Sequence, residues 1–495
     1  MSKPNIVIVM TDQQRADVSA REGFPLDTTP FLDRLAREGA WFNRAYTSAP
    51  ICVAARISLL TGRYPSATRV RSNHNAPDAV YSQDVFDVMK ANGYATALVG
   101  KNHSHLAAAR AGHWRHFSHA GMEGEGRSDQ EKAFDAYMKT LRMYVDPNPA
   151  PFPVECQLPY RIVSGALDWI GSLGGKPFFL WMSFPEPHNP YQVSEPYYSL
   201  FPPESLPPTR SGSEALEKKS SQWQWTKATA RRALPRYDEM IPRSRSNYFG
   251  MLRLIDDQMK RFVDSLDALG LRDKTLLVFV SDHGDFVGEY GLMRKGPETP
   301  DVLMRVPLFF HGPGIGADAR PRHAHVSICD IMPTLCEAIG VPMPEGVQGR
   351  SLWPMLTGQA YPEREFASAY GEQGFGGLHY AADDTLDPVQ EGCIGASGVS
   401  FDCLNSWSQS GVMRTLRKGD WKLDFDMQGR GQLYNLAQDP VELDNLFGRP
   451  EYAAVEKEML AEMLAWTIRV QDPLPLPRRR YVMKKDPRNY WAPYR

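Results

Sequence analysis

Short apolar runs alternate with amphipathic stretches through the first two-thirds of the chain. The first run, residues 5–10, is continuous, as expected for a strand that is buried on both faces of a sheet. Similar runs predict four further strands, at residues 95–99, 178–182, 276–280 and 306–310. This repeated β–α order predicts an α/β protein with a large mixed, mostly parallel sheet sandwiched by helices.

The amphipathic stretches between these runs predict helices. One helix is expected to begin after Thr29 as its cap, with Pro30 at its first position and Gly39 beyond its end. Proline near the start and glycine past the end are common signals of helix boundaries. Further helices are predicted at residues 82–90, 161–173 and 246–269.

The pattern changes after residue 370. Residues 375–410 are rich in Gly, Ser and Asp and predict a long loop. Three short strands are then predicted at residues 412–416, 421–425 and 432–436, followed by a helix at residues 451–470, from its apolar spacing. We therefore expect a catalytic α/β domain (1–370), a small C-terminal α+β domain with a short antiparallel sheet (371–472), and a basic, aromatic tail (473–495).

Composition narrows the classes of function. Basic and acidic residues nearly balance, at 56 and 58, so neither nucleic acid nor a membrane surface is an expected partner. No apolar run approaches transmembrane length and no leader is evident, so a cytoplasmic protein is expected. The six cysteines form no CxxC pair and predict mostly free thiols. A bridge between Cys393 and Cys403 is the alternative.

Polar side chains follow four of the predicted strands, at the points where those strands end. They are Asp12 after the first strand, Lys101 and His103 after the second, His188 after the third, and Asp282 and His283 after the fourth. Functional groups of such sheets collect at the carboxyl ends of the strands. We therefore expect these six side chains, which suit metal or anion binding, to share one site.

One continuous stretch carries the strongest signal for chemistry: Cys52-Val53-Ala54-Ala55-Arg56, then Ile57-Ser58-Leu59-Leu60 and Thr61-Gly62-Arg63. The start of a helix favours an anion, and Arg56 lies one turn after Cys52 on the same face. The stretch resembles the signature of the formylglycine-dependent sulfatases, of the alkaline phosphatase-like superfamily. The resemblance implies that a maturation enzyme oxidises Cys52 to formylglycine. One hydroxyl of the hydrated aldehyde then attacks the ester sulfur, and the other later expels sulfate.

The resemblance also implies a cation site. Its residues are Asp12, Gln13, Asp282, His283 and the modified Cys52. These mostly oxygen ligands suit Ca²⁺ or Mg²⁺, and the histidine extends the choice to Mn²⁺. We expect Ca²⁺.

A sulfate-binding site is the third implication of the resemblance. Its cationic positions are matched by Lys101, His103, His188 and Lys295, and Asn73 is a further candidate. The lysines would neutralise the sulfonate oxygens, and Arg56 would stabilise an oxyanion or hold the diol. One of the two histidines would protonate the leaving oxygen and the other would act as base; the sequence does not assign them.

Two positions depart from the commoner family pattern and keep alternatives open. Many sulfatases have a second Asp where Gln13 stands, whereas some phosphonate monoester hydrolases and choline sulfatases have Gln there. Ala54 stands where the commoner motif has Pro. One alternative is therefore a phosphonate or phosphodiester hydrolase on the same scaffold. Those relatives tend to carry neutral hydroxyl residues where Lys101 and His103 stand, which favours a sulfatase of sulfated carbohydrates. The other alternative is a non-catalytic anion-binding protein with an unconverted Cys52.

Several remaining features admit two interpretations. Four closely spaced histidines, with no carboxylate or cysteine evident nearby, are expected to be loop residues rather than a zinc site: His105, His113, His116 and His119. Aromatic and arginine side chains in the insertions suit either a sulfated sugar or ordinary surface covering: Trp114, Trp223, Trp225, Arg231 and Arg232. The basic tail predicts a contact between subunits of a homo-oligomer.

Overall fold

The computed structural model describes residues 3–374, 394–395, 398–399, 411–471 and 488–490. Sixteen strands lie in these ranges: β1 Asn5–Asp12, β2 Ala40–Phe42, β3 Ala45–Tyr46, β4 Ala95–Gly100, β5 His113–Ser118, β6 Gly121–Met122, β7 Phe178–Pro187, β8 Thr275–Ser281, β9 Leu308–His311, β10 Val326–Ser327, β11 Ser368–Gln373, β12 Ile394–Gly395, β13 Gly398–Val399, β14 Met413–Lys418, β15 Trp421–Asp426 and β16 Gly431–Asn435.

Thirteen α-helices lie in the same described ranges: α1 Pro30–Glu38, α2 Cys52–Thr61, α3 Pro65–Thr68, α4 Val85–Ala91, α5 Asp129–Thr140, α6 Leu158–Gly171, α7 Tyr197–Leu200, α8 Ser221–Ala233, α9 Tyr237–Ala268, α10 Asp301–Met304, α11 Ile331–Ala338, α12 Trp353–Leu356 and α13 Ala453–Gln471. Within those ranges, no helix combines the length and apolar character that a bilayer span requires.

An eight-stranded sheet organises the larger part of the chain, in the order β2-β9-β8-β1-β7-β4-β5-β6. The five strands from β8 to β5 run parallel, and the strands at both edges pair antiparallel. The predicted mixed, mostly parallel sheet is therefore confirmed. All eight residues of β1 are buried, as its apolar run predicted.

Helices cover both faces of this sheet because alternate residues of each strand point to opposite sides. Ile6, Ile8 and Met10 of β1 pack in one core cluster with residues of α2, α4, α11 and α12. Val7 and Val9 pack in a second cluster with residues of α1, α5, α6 and α9. The sandwich of helices around the sheet is the predicted one.

Three helices begin at residues other than the predicted ones. The helix predicted from residue 82 begins at Val85, because the Asp84 side chain accepts from the Asp87 N–H in a capping box. The helix predicted from residue 246 begins at Tyr237 and contains Pro242, which removes one helical hydrogen bond without ending the helix. The helix predicted from residue 161 begins at Leu158.

Thr29 and Gly39 flank α1 as predicted, but Thr29 does not cap the helix with its side chain. The Thr29 side chain makes no capping hydrogen bond, and its hydroxyl donates to Asp33 instead. The N–H groups of Phe31 and Leu32 donate to the carboxylate of Asp256, at 2.9 and 2.7 Å. A side chain of α9 therefore caps α1, which local sequence does not reveal.

A second sheet, β11-β14-β15-β16, is antiparallel throughout. Its apolar face packs against α13 through residues such as Leu416, Leu423 and Met463. The small α+β unit is thus confirmed, while the boundary at residue 370, which falls within β11, stays a prediction. The Cys393–Cys403 pair, most of the 375–410 segment and most of the tail lie outside the described residues.

A buried charge cluster joins the second sheet to the segment that follows Lys295. The ammonium of Lys422 lies 2.6 Å from both Asp424 and Glu442. Asp424 accepts from the Thr299 hydroxyl at 2.9 Å, and Glu442 accepts from the Asp301 N–H at 2.6 Å. All three charged side chains are almost fully buried. Lys422 therefore neutralises two carboxylates that anchor the larger domain.

Replacing Lys422 by Met should lower the free energy of unfolding by about 3–5 kcal/mol, because it leaves two buried carboxylates uncompensated. Lys418→Met is a matched control in the same sheet, since Lys418 is partly exposed and pairs with Glu458 at the surface. That control should cost about 0–1 kcal/mol. Urea unfolding measures the free energy of unfolding of both variants. Equal losses of this free energy in the two variants would contradict the role given to Lys422.

Candidate active site

The carboxyl ends of four neighbouring strands deliver polar groups to one place. Asp12 ends β1, Lys101 follows β4, His188 follows β7, and Asp282 follows β8. These strands are adjacent in the order β8-β1-β7-β4. The predicted convergence is thus observed, and its cause is the parallel pairing of the strands.

Cys52 is the first residue of α2 and is buried. Its Sγ lies 3.0 Å from Lys295 Nζ, 3.2 Å from His283 Nε2 and 3.7 Å from Asp12 Oδ1. Burial and the Asp12 carboxylate oppose ionisation of the thiol, but Lys295, Lys101 and His283 outweigh them and hold the pKa of Cys52 well below its usual range. The position at the centre of the site therefore favours an anion.

Arg56, one turn along α2, is fully buried beneath the site. Its guanidinium donates to Asp282 Oδ2 at 2.9 Å and Ser183 Oγ at 2.8 Å, and lies 3.4 Å from Asp12 Oδ2. It also donates to the carbonyl of Lys101 at 3.1 Å. Arg56 therefore directs its donors to protein acceptors and holds the ends of four strands; its predicted action on an oxyanion or diol stays a prediction.

Four of the five predicted metal ligands form a cluster. The ligand atoms of Asp12, Cys52, Asp282 and His283 all lie within 4.8 Å of one another, and all four residues are buried. The Nδ1 of His283 lies 2.8 Å from the carbonyl of Gly284, so Nδ1 carries the proton and Nε2, which faces Cys52 Sγ, is the ligand atom. The cluster fits a divalent cation.

Gln13, the fifth predicted ligand, is held in place by two carboxylates. Its N–H donates to Asp282 Oδ1 at 3.0 Å, and its Nε2 donates to Asp285 Oδ2 at 2.5 Å. Its Oε1 is buried with no hydrogen-bond partner among the described residues. Its φ of 71° places it in the left-handed region, which is uncommon for a residue other than glycine. A buried amide oxygen without a partner is suited to a hard cation.

The cationic residues surround this cluster. Lys101 Nζ forms an ion pair with Asp12 and lies 2.8 Å from His119 Nε2. His188 Nδ1 lies 2.6 Å from the carbonyl of Asn189, so its Nε2 is left for a ligand. Burial is the main cause that lowers the pKa of His188 to about 3, although Asp12 opposes it. The imidazole is therefore neutral at neutral pH in the absence of an anion.

His103 and Asn73 lie beside Cys52 and the helix that it begins. Burial and Lys101 lower the pKa of His103, against a hydrogen bond with Cys52 that raises it. The Oδ1 of Asn73 accepts from the N–H of Val53, the second residue of α2, at 3.3 Å. All predicted site residues therefore lie close to Cys52 or to the other candidate metal ligands. Their chemical roles stay predictions.

The prediction that four closely spaced histidines are loop residues is wrong for two of them. His113 and His116 lie in β5, and His116 contacts Glu123 at 2.8 Å. His105 contacts Asp84 at 2.8 Å, a carboxylate that lies 21 residues away along the chain. Trp223 is fully buried in a cluster with Phe286 and Tyr290 and is not available to stack on a sugar.

Ser183 and Asp285 are site residues that the sequence missed, and His119 was predicted only as a loop histidine. His119 enters the site from the turn after β5, and its ring stacks on His188 with 3.9 Å between centroids. Ser183 and Asp285 orient Arg56 and Gln13. The signal for Asp285 was the carboxylate in Ser-Asp-His-Gly-Asp (281–285), two residues after His283.

The chain is similar to known sulfatases over most of its length. A family model described as Sulfatase matches residues 4–341. An arylsulfatase of Clostridium perfringens is 28% identical over 480 residues, which cover 91% of each chain. An ulvan-active sulfatase of Formosa agariphila is 26% identical over 483 residues, which cover 93% of this chain and 80% of that protein.

Among solved structures, the phosphonate monoester hydrolase of Agrobacterium radiobacter superposes with a TM-score of 0.75 at 22% identity, over 94% of this chain and 96% of that one. This likeness shows the fold alone. Fold and site together define a hydrolase of the alkaline phosphatase-like superfamily. Because the family model covers more than half of the chain, the protein belongs to the sulfatase family, and we assign it as a sulfuric ester hydrolase.

Lys295→Ala and His188→Ala should each lower turnover of an aryl sulfate by about two to four orders of magnitude, the scale of losing a preorganised charge or an acid–base group. Lys260→Ala and His323→Ala replace exposed residues of the same types elsewhere and should leave turnover unchanged. Initial rates of sulfate release measure all four variants. Wild-type rates in either site variant would show that the site is misplaced.

Proposed function

We propose that this protein hydrolyses sulfate monoesters of a carbohydrate, with a nucleophile made from Cys52 and with a divalent cation. The observation that carries the proposal is the position of Cys52 Sγ, which lies within 3.7 Å of Lys295, His283 and Asp12. A thiol at the start of α2, in contact with a lysine and two metal-ligand candidates, supports the proposed role of Cys52 as the precursor of the nucleophile.

The cation would be held by Asp12, Gln13, Asp282 and His283 together with the oxygen that replaces Cys52 Sγ. When bound, it would supply positive charge that offsets negative charge on the reacting oxygens. The mostly oxygen donors favour Ca²⁺ in this proposal, with Mg²⁺ or Mn²⁺ as alternatives. Arg56 keeps two of these ligands in place by contacting both Asp12 and Asp282.

Formylglycine at position 52 would supply, as its hydrate, the hydroxyl group that attacks sulfur. Lys295 and Lys101 would neutralise the sulfate oxygens; the contact of the Lys295 ammonium with Cys52 Sγ at 3.0 Å supports this role for Lys295. His103, which bonds to Cys52, is the proposed base at the nucleophile. His188 is the proposed acid, because only its Nε2 is left to reach the leaving oxygen. The negative charge of a bound sulfate ester would raise the pKa of His188 and favour its protonated form.

The proposed substrate class is a sulfated carbohydrate, either a small molecule or an oligosaccharide. Its support is the relative from Formosa, which is named as ulvan-active. The maturation enzyme that would convert Cys52 is the proposed protein partner, as the family resemblance implies.

The second candidate is hydrolysis of phosphonate monoesters, which Gln13 and the fold of the Agrobacterium enzyme favour. Wild-type protein should nevertheless show the larger kcat/KM for 4-nitrophenyl sulfate than for a phenyl phosphonate ester. The double variant Lys101→Ser, His103→Thr carries neutral hydroxyl groups at these positions. It should lower the ratio of kcat/KM for the sulfate to kcat/KM for the phosphonate. A wild-type preference for the phosphonate, with an unchanged ratio in the variant, would support the second candidate instead.

Removing the cation should lower both activity and stability, because Asp12 and Asp282 then lie close together in a buried site with less compensating charge. We expect dialysis against a chelator to lower the melting temperature of the wild type, and added Ca²⁺ to restore it. The Asp12→Asn variant should show a smaller difference in melting temperature between chelated and Ca²⁺-loaded samples. An identical melting temperature in the chelated and loaded wild type would contradict the cation site.

A further inference from the structure

His119 is a part of the site to which the proposed mechanism gives no role. Its ring lies 3.9 Å from that of His188, centroid to centroid, with 25° between the ring planes. Its Nε2 lies 2.8 Å from Lys101 Nζ and 4.0 Å from Asp12 Oδ2. One side chain therefore contacts both the proposed acid and a proposed sulfate-binding cation.

The fold delivers His119 to this place through the edge of the large sheet. Strand β5 pairs parallel with β4, with His116 opposite Gly100, so both strands point toward the site. The turn between β5 and β6 is fixed by the hydroxyl of Ser118, which accepts from the Ala120 N–H at 3.2 Å and donates to the Gly121 carbonyl at 3.3 Å. His119 is thus presented by a defined turn that follows the strand beside Lys101.

We propose that His119 is a positioning residue for hydrolysis, with two separable effects. Its ring face fixes the plane of His188, and its Nε2 accepts a hydrogen bond that fixes Lys101. This inference rests on the proposed function, since it assigns His119 an effect on the leaving oxygen and on the sulfate oxygens.

The effect on Lys101 follows from donors and acceptors. An ammonium group only donates, so the His119 nitrogen facing it is an acceptor and the proton lies on Nδ1. Lys101 is then held between a carboxylate, Asp12, and a neutral imidazole, which leaves a third N–H for a sulfate oxygen. Without His119, Asp12 is the one remaining partner of the ammonium among the described residues, and the ammonium can turn away from the substrate.

The effect on His188 follows from the contacts that the described part of the chain makes with its ring. A hydrogen bond to the Asn189 carbonyl fixes Nδ1 of His188. The stacked ring of His119 limits rotation of the His188 imidazole about this hydrogen bond. General acid catalysis needs the donor within hydrogen-bond reach of the leaving oxygen, and a displacement of about 1 Å can cost about 100-fold. Proton donation matters most for esters whose leaving group is a poor one.

Two substitutions separate the effects. His119→Phe keeps a ring beside His188 but loses the acceptor for Lys101, so kcat/KM should fall by about tenfold or more for 4-nitrophenyl sulfate and phenyl sulfate alike. His119→Gln keeps an acceptor near Lys101 but loses the ring. It should lower kcat/KM for phenyl sulfate by about tenfold or more, and change that for 4-nitrophenyl sulfate much less, since nitrophenolate needs little protonation.

The control is His116, three residues earlier, whose imidazole contacts Glu123 outside this cluster. His116→Phe and His116→Gln should leave kcat/KM for phenyl sulfate and for 4-nitrophenyl sulfate, and the ratio of the two, at wild-type values. Melting temperatures of all variants show whether each one is folded, and a folded His119→Gln protein whose ratio shifts supports the inference.

Two results would overturn the inference. If His119→Phe and His119→Gln lower kcat/KM equally for both esters, so that the ratio of the two kcat/KM values is unchanged, the residue only supports the fold. Wild-type constants in both variants would mean that it has no part in the reaction. Absence of sulfate release by the wild type is a different failure, because it would refute the proposed function before His119 is tested.

Discussion

The guanidinium of Arg56 lies between the carboxylates of Asp12 and Asp282 in a region that solvent does not reach. Carboxylates are costly to bury unless they are paired and hydrogen-bonded. Arg56 supplies that pairing and also bonds to Ser183 and to the Lys101 carbonyl. It thereby fixes the ends of β1, β4, β7 and β8 relative to one another. The metal-ligand cluster and the start of α2 depend on this arrangement.

Charges of both signs are interleaved around Cys52. Lys101 pairs with Asp12, and Lys295 Nζ lies 3.0 Å from Cys52 Sγ and 3.4 Å from His283 Nε2. The cations outweigh burial at the thiol, so an anion is favoured at this point. A sulfate ester brings negative charge to the same point, and the two lysines are in place before it arrives. Such preorganised charge costs no rearrangement during the reaction.

Much of this arrangement was predictable because it follows from order along the chain. Apolar runs located the strands, and the polar residue after each one marked the site edge. Contacts between distant segments were not predictable in the same way. The Asp256 cap of α1 and the support of Gln13 by Asp285 join residues more than 200 positions apart. The entry of His119 depends on the pairing of β5 with β4, which no local pattern specifies.

The central claim is that Cys52 becomes the nucleophile of a sulfatase. Peptide mass spectrometry across residue 52, on protein co-expressed with a maturation enzyme, tests it most directly when the same sample is assayed for sulfate release from an aryl sulfate. The account predicts a peptide mass for formylglycine in place of cysteine, together with sulfate release in proportion to the converted fraction. An unmodified cysteine in a sample that releases sulfate, or full conversion without release, would contradict it.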